Sequence, residues 1–402
     1  MKSKSKFNIA QVIEQWLPSL EHNAILSGHQ KSTLKLIQHC KTKHLGGHLE
    51  QCNECKYTRI HYNSCGNRNC PSCQAVNKEK WLFDRQFDLL PFKYFHCVFT
   101  IPSQLQPLVR YNKKTVYDLM MRCVKDTLLA FGKDAKHGIS GKIGSIIILH
   151  TWNQQLGLHP HVHCIVPAGG LNEKGQWVEA KSNGDFLFPV RALSALFKGK
   201  LLANIHQLFL DNKLNLSSKL KAEYWKTKNK LYSINWNTYA KKAFGGPQQV
   251  LEYLARYTHK ICISNYRIED ITKRNVTYRY LDRKLNKIKF KTLEGEKFLK
   301  LFAEHILPKG FVRIRHVGFL SARSKKKDLA QIRKYLKVSQ PPVKPKLSTR
   351  QFIMLTTGKD PYLCPCCSKG EMVIISVLPT IRGSPISSLF RTFANDRSVQ
   401  II

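Results

Sequence analysis

Two histidines and two tyrosines carry the sharpest chemistry in the chain. The segment LHPHVHCIVPAGG spans residues 158–170. In an extended strand, successive side chains point to opposite faces. His161 and His163 then project to one side, and Val162 and Cys164 into a core behind them. The imidazoles stand roughly 6–7 Å apart along the backbone, close enough to share one divalent ion. His159 has the same parity, although Pro160 favours a strand start at that point. The preceding run IIILHTWNQ turns at Leu156-Gly157, and a hairpin there returns Gln154 to the side of the pair. One oxygen from Gln154 and two imidazole nitrogens make a three-ligand site with open positions, suited to an ion that also holds a phosphate.

Further along, QQVLEYLARYTHK follows Gly246-Pro247, which suits a helix start with Pro in the first turn. Tyr253 and Tyr257 are then i and i+4 on one helix face, with Arg256, His259 and Lys260 close by. Tyrosine can form a covalent intermediate. Its ordinary pKa is about 10, so it needs a polarised phosphate and neighbouring cations. A phosphotyrosine ester retains the energy of the phosphodiester it replaces, so strands can be cut and rejoined without ATP. The chain accordingly carries no recognisable nucleotide-binding loop. Either motif alone is ordinary packing; both together on this chain point to phosphoryl transfer.

The third set is cysteine. Cys52 and Cys55 form one Cys-x-x-Cys, and Cys70 and Cys73 a second, with 14 residues between the pairs. Two such pairs complete the four-thiolate tetrahedron that Zn²⁺ favours, with no open position, so this zinc is expected to be structural. Cys40, Cys65, His39, His44, His48 and His61 remain, for a second site or for packing around the first. At the far end, CPCCSKGEM offers Cys364 and Cys367 as a half-site that needs two ligands from elsewhere in the chain or from another subunit. Cys97, Cys123, Cys164 and Cys262 stand among apolar neighbours and read as buried thiols.

These residues need elements to hold them. Residues 7–38 carry spaced apolar positions and read as two short helices. YFHCVFTIP and GSIIILHTW read as buried strands, TVYDLMMRCVKDTLLAFG and LFKGKLLANIHQLFL as helices, and NVTYRYLDRKLNKIKFKTL as strand. Strands and helices mixed without strict βαβ alternation imply an α+β core. The expected organisation is N-terminal helices and a zinc-binding module over 1–82, a nuclease domain over 83–322, and a basic, Pro-containing linker and tail over 323–402.

Charge selects the partner. The 402 residues include 66 Lys and Arg against 26 Asp and Glu, a formal net charge of +40, while 43% are hydrophobic. The apolar share supports a sizeable core, and the charge calls for a polyanion, nucleic acid before an anionic membrane surface. No stretch of about 18 uncharged apolar residues suggests a membrane span. The start, MKSKSKFNIAQVIEQW, has no apolar h-region, so a cytoplasmic, nucleoid-associated protein is expected, with thiols kept reduced. The few acids form no metal pattern, which argues against a carboxylate-triad nuclease.

HPHVHC resembles the His-hydrophobe-His motif of the HUH endonucleases, and YLARY their Tyr-x-x-x-Tyr motif. The order of cysteine module, FHCVFTIP, HTWNQ, HPHVHC and YLARYTHK is similar to that of the rolling-circle transposases of the insertion sequence 91 type. FKGKLL, LPKGFVRIRHVGFLSA and the C-terminal CPCC extend the likeness, which covers about 40–322 most fully. Ala255 stands where many relatives carry Gly, and Lys260 where Arg is frequent.

The resemblance implies an HUH core, an antiparallel sheet with helices, preceded by the zinc module. It implies Mg²⁺ or Mn²⁺ on His161 and His163, with Gln154 as third ligand and His159 or His259 as alternatives. It implies attack by Tyr253 or Tyr257 on single-stranded DNA at element ends and target, leaving a 5′-phosphotyrosine and a free 3′-OH. Arg256 and Lys260 would touch the DNA, and a homo-oligomer is compatible with this chemistry. Two other readings stay open: a rolling-circle replication initiator or relaxase with the same chemistry, and a non-catalytic zinc-finger DNA-binding protein.

Overall fold

The computed structural model describes residues 6–23, 25–243, 249–250, 258–338 and 342–381. Its strands in chain order are β1 (Gly47–Cys52), β2 (Thr58–Tyr62), β3 (Tyr94–Thr100), β4 (Gly144–Trp152), β5 (Leu158–Pro167), β6 (Gly169–Leu171) and β7 (Trp177–Glu179). They continue as β8 (Thr238–Ala243), β9 (Ile268–Ile271), β10 (Asn275–Asp282), β11 (Lys287–Glu294), β12 (Ile314–Gly318) and β13 (Met372–Leu378). The chain divides into two compact units, each assembled from separated stretches. The first comprises Met1–Glu79, Ile263–Ile306 and Lys344–Ile402, and the second Lys80–Cys262 and Leu307–Val343.

In the first unit, helix Ile9–His22 buries Ile9, Val12, Ile13, Trp16, Leu17 and Leu20, the stripe that a 3.6-residue period produces. Asn8 and Gln11 close its start as a capping box. Trp16 lies against Gly295, where any Cβ would clash with its indole. Two three-stranded antiparallel sheets complete the unit, in the orders β13-β1-β2 and β11-β10-β9. The single basic run expected as strand is thus a hairpin, β10 and β11, with Asp282 at the turn accepting from the backbone N–H groups of Lys284 and Leu285.

The second unit is built on a five-stranded antiparallel sheet in the order β12-β4-β5-β3-β8. Helices Lys113–Lys133 and Val190–Leu210 cover one face. Their core takes Cys97 and Phe99 from β3, Ile147 and Leu149 from β4, and Val162 and Cys164 from β5. Phe99 packs edge-on against Phe197 at 5.1 Å. The alternate residues face the other way, where Tyr94, Ile146, Ile148 and Ile165 meet Phe319, Leu329 and Ile332. The α+β class and the antiparallel sheet with helices are as the sequence implied.

His316 on β12 shows what burial does to a basic group in this sheet. Burial, reinforced by Arg85 and Lys325 and opposed by Asp88, depresses its pKa to about 4. Between about pH 6.5 and 4, the unfolded chain binds a proton that the folded chain does not. The stability that His316 contributes above pH 6.5 is therefore lost as pH falls through this window, by roughly 2–3 kcal/mol. Urea midpoints at pH 7 and 4.5 should fall less steeply in His316→Asn than in the parent chain.

Candidate metal centre

Strand register brings three imidazoles together. In the antiparallel pair β4–β5, His150 lies directly opposite His161, and Ile148 opposite His163. Directly opposed residues share a face. His150, His161 and His163 therefore rise from the same side, and a nitrogen of each lies within 4.8 Å of the others. His150 and His163 are buried, at 3% and 6% exposure, whereas His161 is only partly covered. The β4–β5 register shifts between His150 and Trp152, and a bulge of this kind re-aims side chains at a strand end. Ring centroids of His150 and His163 are 4.6 Å apart, and those of His161 and His163 4.8 Å.

Neighbouring groups orient these rings. The Nδ1 of His161 lies 2.7 Å from the carbonyl oxygen of His159. A carbonyl only accepts, so Nδ1 carries the proton and Nε2 keeps its lone pair for a ligand. The Nδ1 of His163 shares a hydrogen with Nε2 of His96 at 2.8 Å, and the two rings stack. Burial, assisted by Lys241, pushes His96 down to about 4, so it is neutral at pH 7. Arg313 lies over the Trp152 ring at 5.2 Å and donates through Nε to the carbonyl of Leu149, next to His150.

Gln154 belongs to the turn between β4 and β5. Asn153 organises that turn by accepting from the N–H groups of Gln155 and Gly157, each at 2.9 Å, with Leu156 at φ +64°. The imidazole that joins the pair is His150, which the sequence reading passed over. The bulge between His150 and Trp152 sets this pairing, since plain counting back from Trp152 and Leu158 would put His150 opposite Pro160. His159 has its ring 5.1 Å from that of His161, and His259 lies edge-on to Trp81 at 6.2 Å.

Tyr253, Tyr257 and Arg256 lie outside the described residues. Their flanks do not. Val250 is buried in the cluster on the histidine side of the sheet, with Ile146, Ile148 and Ile165. Thr258 is 1% exposed, and the carbonyl of Lys260 accepts from Arg313 Nη2 at 2.6 Å. The Lys260 side chain is exposed.

The cysteines group differently from the expected set. Cys70 and Cys73, at the first turn of helix Pro71–Gln86, meet Cys40 and Cys65. Sγ separations are 3.6 Å for Cys40–Cys73, 3.6 Å for Cys65–Cys73 and 3.7 Å for Cys70–Cys40. Cys52 and Cys55 instead meet Cys364 and Cys367. The expected tetrad is thus corrected. Each Cys-x-x-Cys was read rightly as a local pair, but β1 pairs with β13, setting Cys52 opposite Met372. Of the remaining histidines, His48 and His61 stack across β1 and β2 at 5.1 Å beside Glu50, and His39 packs on His44 at 4.1 Å.

The chain matches two family models, a putative transposase over residues 144–328 and a transposase zinc-binding domain over residues 12–101. The second match supports zinc in the N-terminal module, where Cys40, Cys65, Cys70 and Cys73 meet. A putative transposase of Sinorhizobium fredii is 38% identical over 370 residues, covering 90% of this chain and 92% of that protein. The transposase for insertion sequence element IS801 of Pseudomonas savastanoi pv. phaseolicola is 28% identical over 382 residues, 94% of this chain and 91% of that protein. No solved structure matches significantly. Among the described residues, no helix is long and apolar enough to cross a membrane. A sheet that gathers three imidazoles, a cysteine-rich N-terminal module and likeness along nine-tenths of the chain agree: this chain belongs to the transposases of the insertion sequence 91 type.

Proposed function

We propose that the chain cuts and rejoins single-stranded DNA during transposition of its insertion sequence, through a 5′-phosphotyrosine intermediate. The observation that carries this reading is the convergence of His150, His161 and His163 on one sheet face, the face on which Val250, just ahead of the tyrosines, is buried. These three side chains would hold a divalent ion. Three imidazole nitrogens fit Mn²⁺ better than Mg²⁺, which prefers oxygen ligands and keeps its waters. Such an ion, when bound, polarises a phosphate oxygen.

The chain's own groups do the rest. The oxygen of Tyr253 or Tyr257 bonds to phosphorus as the P–O3′ bond breaks. The tyrosine proton is lost, and the departing 3′ oxygen gains one. In the reverse step, a 3′-OH attacks the phosphotyrosine and frees the tyrosine, so two tyrosines could hold two strands at once. Arg256 and Lys260 offer positive charge near the phosphate. The net charge of +40 favours DNA generally and makes binding steeply salt-dependent. The oxygen chemistry at phosphorus needs no redox partner and no nucleotide.

His96 acts through His163. Its loss should weaken Mn²⁺ binding roughly tenfold, as removal of a group that orients a metal ligand typically does. Isothermal titration of His96→Ala and His96→Gln would show it, with Gln restoring part of the loss through its own hydrogen bond.

The reading is tested with labelled single strands from both flanks of the element, protein and Mn²⁺, run on a denaturing gel. A fragment joined to the protein through its 5′ phosphate is expected, abolished by chelator and by His161→Ala, and reduced by Tyr253→Phe or Tyr257→Phe according to which acts first. Tight DNA binding with no adduct on any strand would instead support a DNA-binding protein without strand chemistry.

A further inference from the structure

The geometry points to a second structural zinc ion, held by Cys52 and Cys55 from the N-terminal module and by Cys364 and Cys367 from near the C-terminus. This goes beyond the strand chemistry proposed above and does not depend on it. The four sulfurs all lie within 4.8 Å of one another. Cys52 and Cys367 are 3.8 Å apart, and Cys55 and Cys364 are 3.6 Å apart although 309 positions separate them in sequence. A tetrahedral ion with Zn–S bonds of about 2.3 Å places its sulfurs about 3.8 Å apart. A disulfide would need about 2.05 Å.

The surrounding backbone is built for thiolates. The residue after the second cysteine of each pair, Lys56 and Ser368, is in the left-handed region, at φ 59° and φ 55°. Both turns thus fold back in the same way and present their sulfurs inward. The N–H of Cys366 lies 3.4 Å from the Cys364 sulfur, and the N–H of Gly370 lies 3.4 Å from that of Cys367. Such donors stabilise charge on sulfur.

The two loops are also tied to each other. Asn53 N–H donates to the carbonyl of Glu371 at 3.0 Å, and Glu371 N–H donates to Asn53 Oδ1 at 2.8 Å. A Cβ at Gly370 would meet the Cys52 sulfur at 2.6 Å, so the turn is packed onto the site. The cluster has little apolar support, comprising only Cys52, Cys364 and Met372 with Cys367 against them. Val373, Ile374, Ile375 and Val377 of β13 are at least half exposed. A strand so poorly buried needs another fastening to pair with β1, and a tetrathiolate ion supplies it. On binding, the thiol protons pass to solvent and four sulfur–zinc bonds form with no change of oxidation state. The ion clamps β13 onto β1 and joins these two distant segments of the chain in one module.

Native mass spectrometry of the full chain, with elemental analysis, tests this. The parent protein should carry two zinc ions. Cys364→Ser/Cys367→Ser should carry one and be cut more readily by protease after about residue 340. Cys70→Ser/Cys73→Ser should also carry one, and Cys366→Ser two. Should the serine variants fail to fold, Cys367→His keeps a ligand. Its Co²⁺-substituted form should then show the absorption of one three-sulfur, one-nitrogen site beside one four-sulfur site. One zinc in the parent, two in Cys364→Ser/Cys367→Ser, iron in place of zinc, or an unchanged cobalt spectrum in Cys367→His would each overturn the assignment.

Discussion

His150→Ala should reduce Mn²⁺-dependent cleavage by more than about 100-fold. Removing a group that merely orients a ligand costs 10–100-fold in typical metal sites, and His150 stands where a ligand would. It lies opposite His161 in the β4–β5 register, and it is buried at 3% exposure. Burial limits replacement of the lost nitrogen by solvent. Gln154→Ala should cost less than about tenfold, because Gln154 lies in a turn that Asn153 organises. Single-turnover cleavage at several Mn²⁺ concentrations separates the two. A loss in His150→Ala that added Mn²⁺ partly restores marks a ligand. A large loss in Gln154→Ala with an intact His150→Ala would return the third position to glutamine.

Cys65→Ser should release the zinc of the N-terminal cluster and lower its affinity by at least about 100-fold. Zinc binding in small metal-folded modules is worth roughly 10–16 kcal/mol, so one thiolate of four accounts for roughly 3–4 kcal/mol, or two to three decades. Cys40→Ser should behave alike, because its sulfur lies 3.6 Å from that of Cys73. The test discriminates sharply between groupings. Were Cys52, Cys55, Cys70 and Cys73 one site, Cys40 and Cys65 would be dispensable and zinc content would not change. Competition with a chromogenic chelator reads the affinity directly, and circular dichroism reports whether the module loses structure with its metal.

Local pattern was enough for much of this protein. Period 3.6 marks helix Ile9–His22 through Ile9, Val12, Ile13, Trp16 and Leu17, and apolar continuity marks β3 and β4. Period 2 on one strand separates His161 and His163 from Val162 and Cys164, and the latter two are indeed in the core. Composition alone selects an anionic partner. These properties depend on neighbours in sequence, through backbone geometry and hydrophobic partition, and are therefore legible without coordinates.

Whatever depends on which distant segments meet had to wait for the tertiary structure. His150 joins the histidine pair because the hairpin closes with a bulge, and residue counts do not specify a bulge. His96 reaches His163 because β3 pairs with β5 across 67 positions. The cysteines divide into two tetrads because β13 crosses the whole chain to pair with β1. A Cys-x-x-Cys determines that two thiols point together, since a tight turn has few conformations. It carries no information on which other pair will face it, because that choice is made by sheet register, which here sets β1 beside β13.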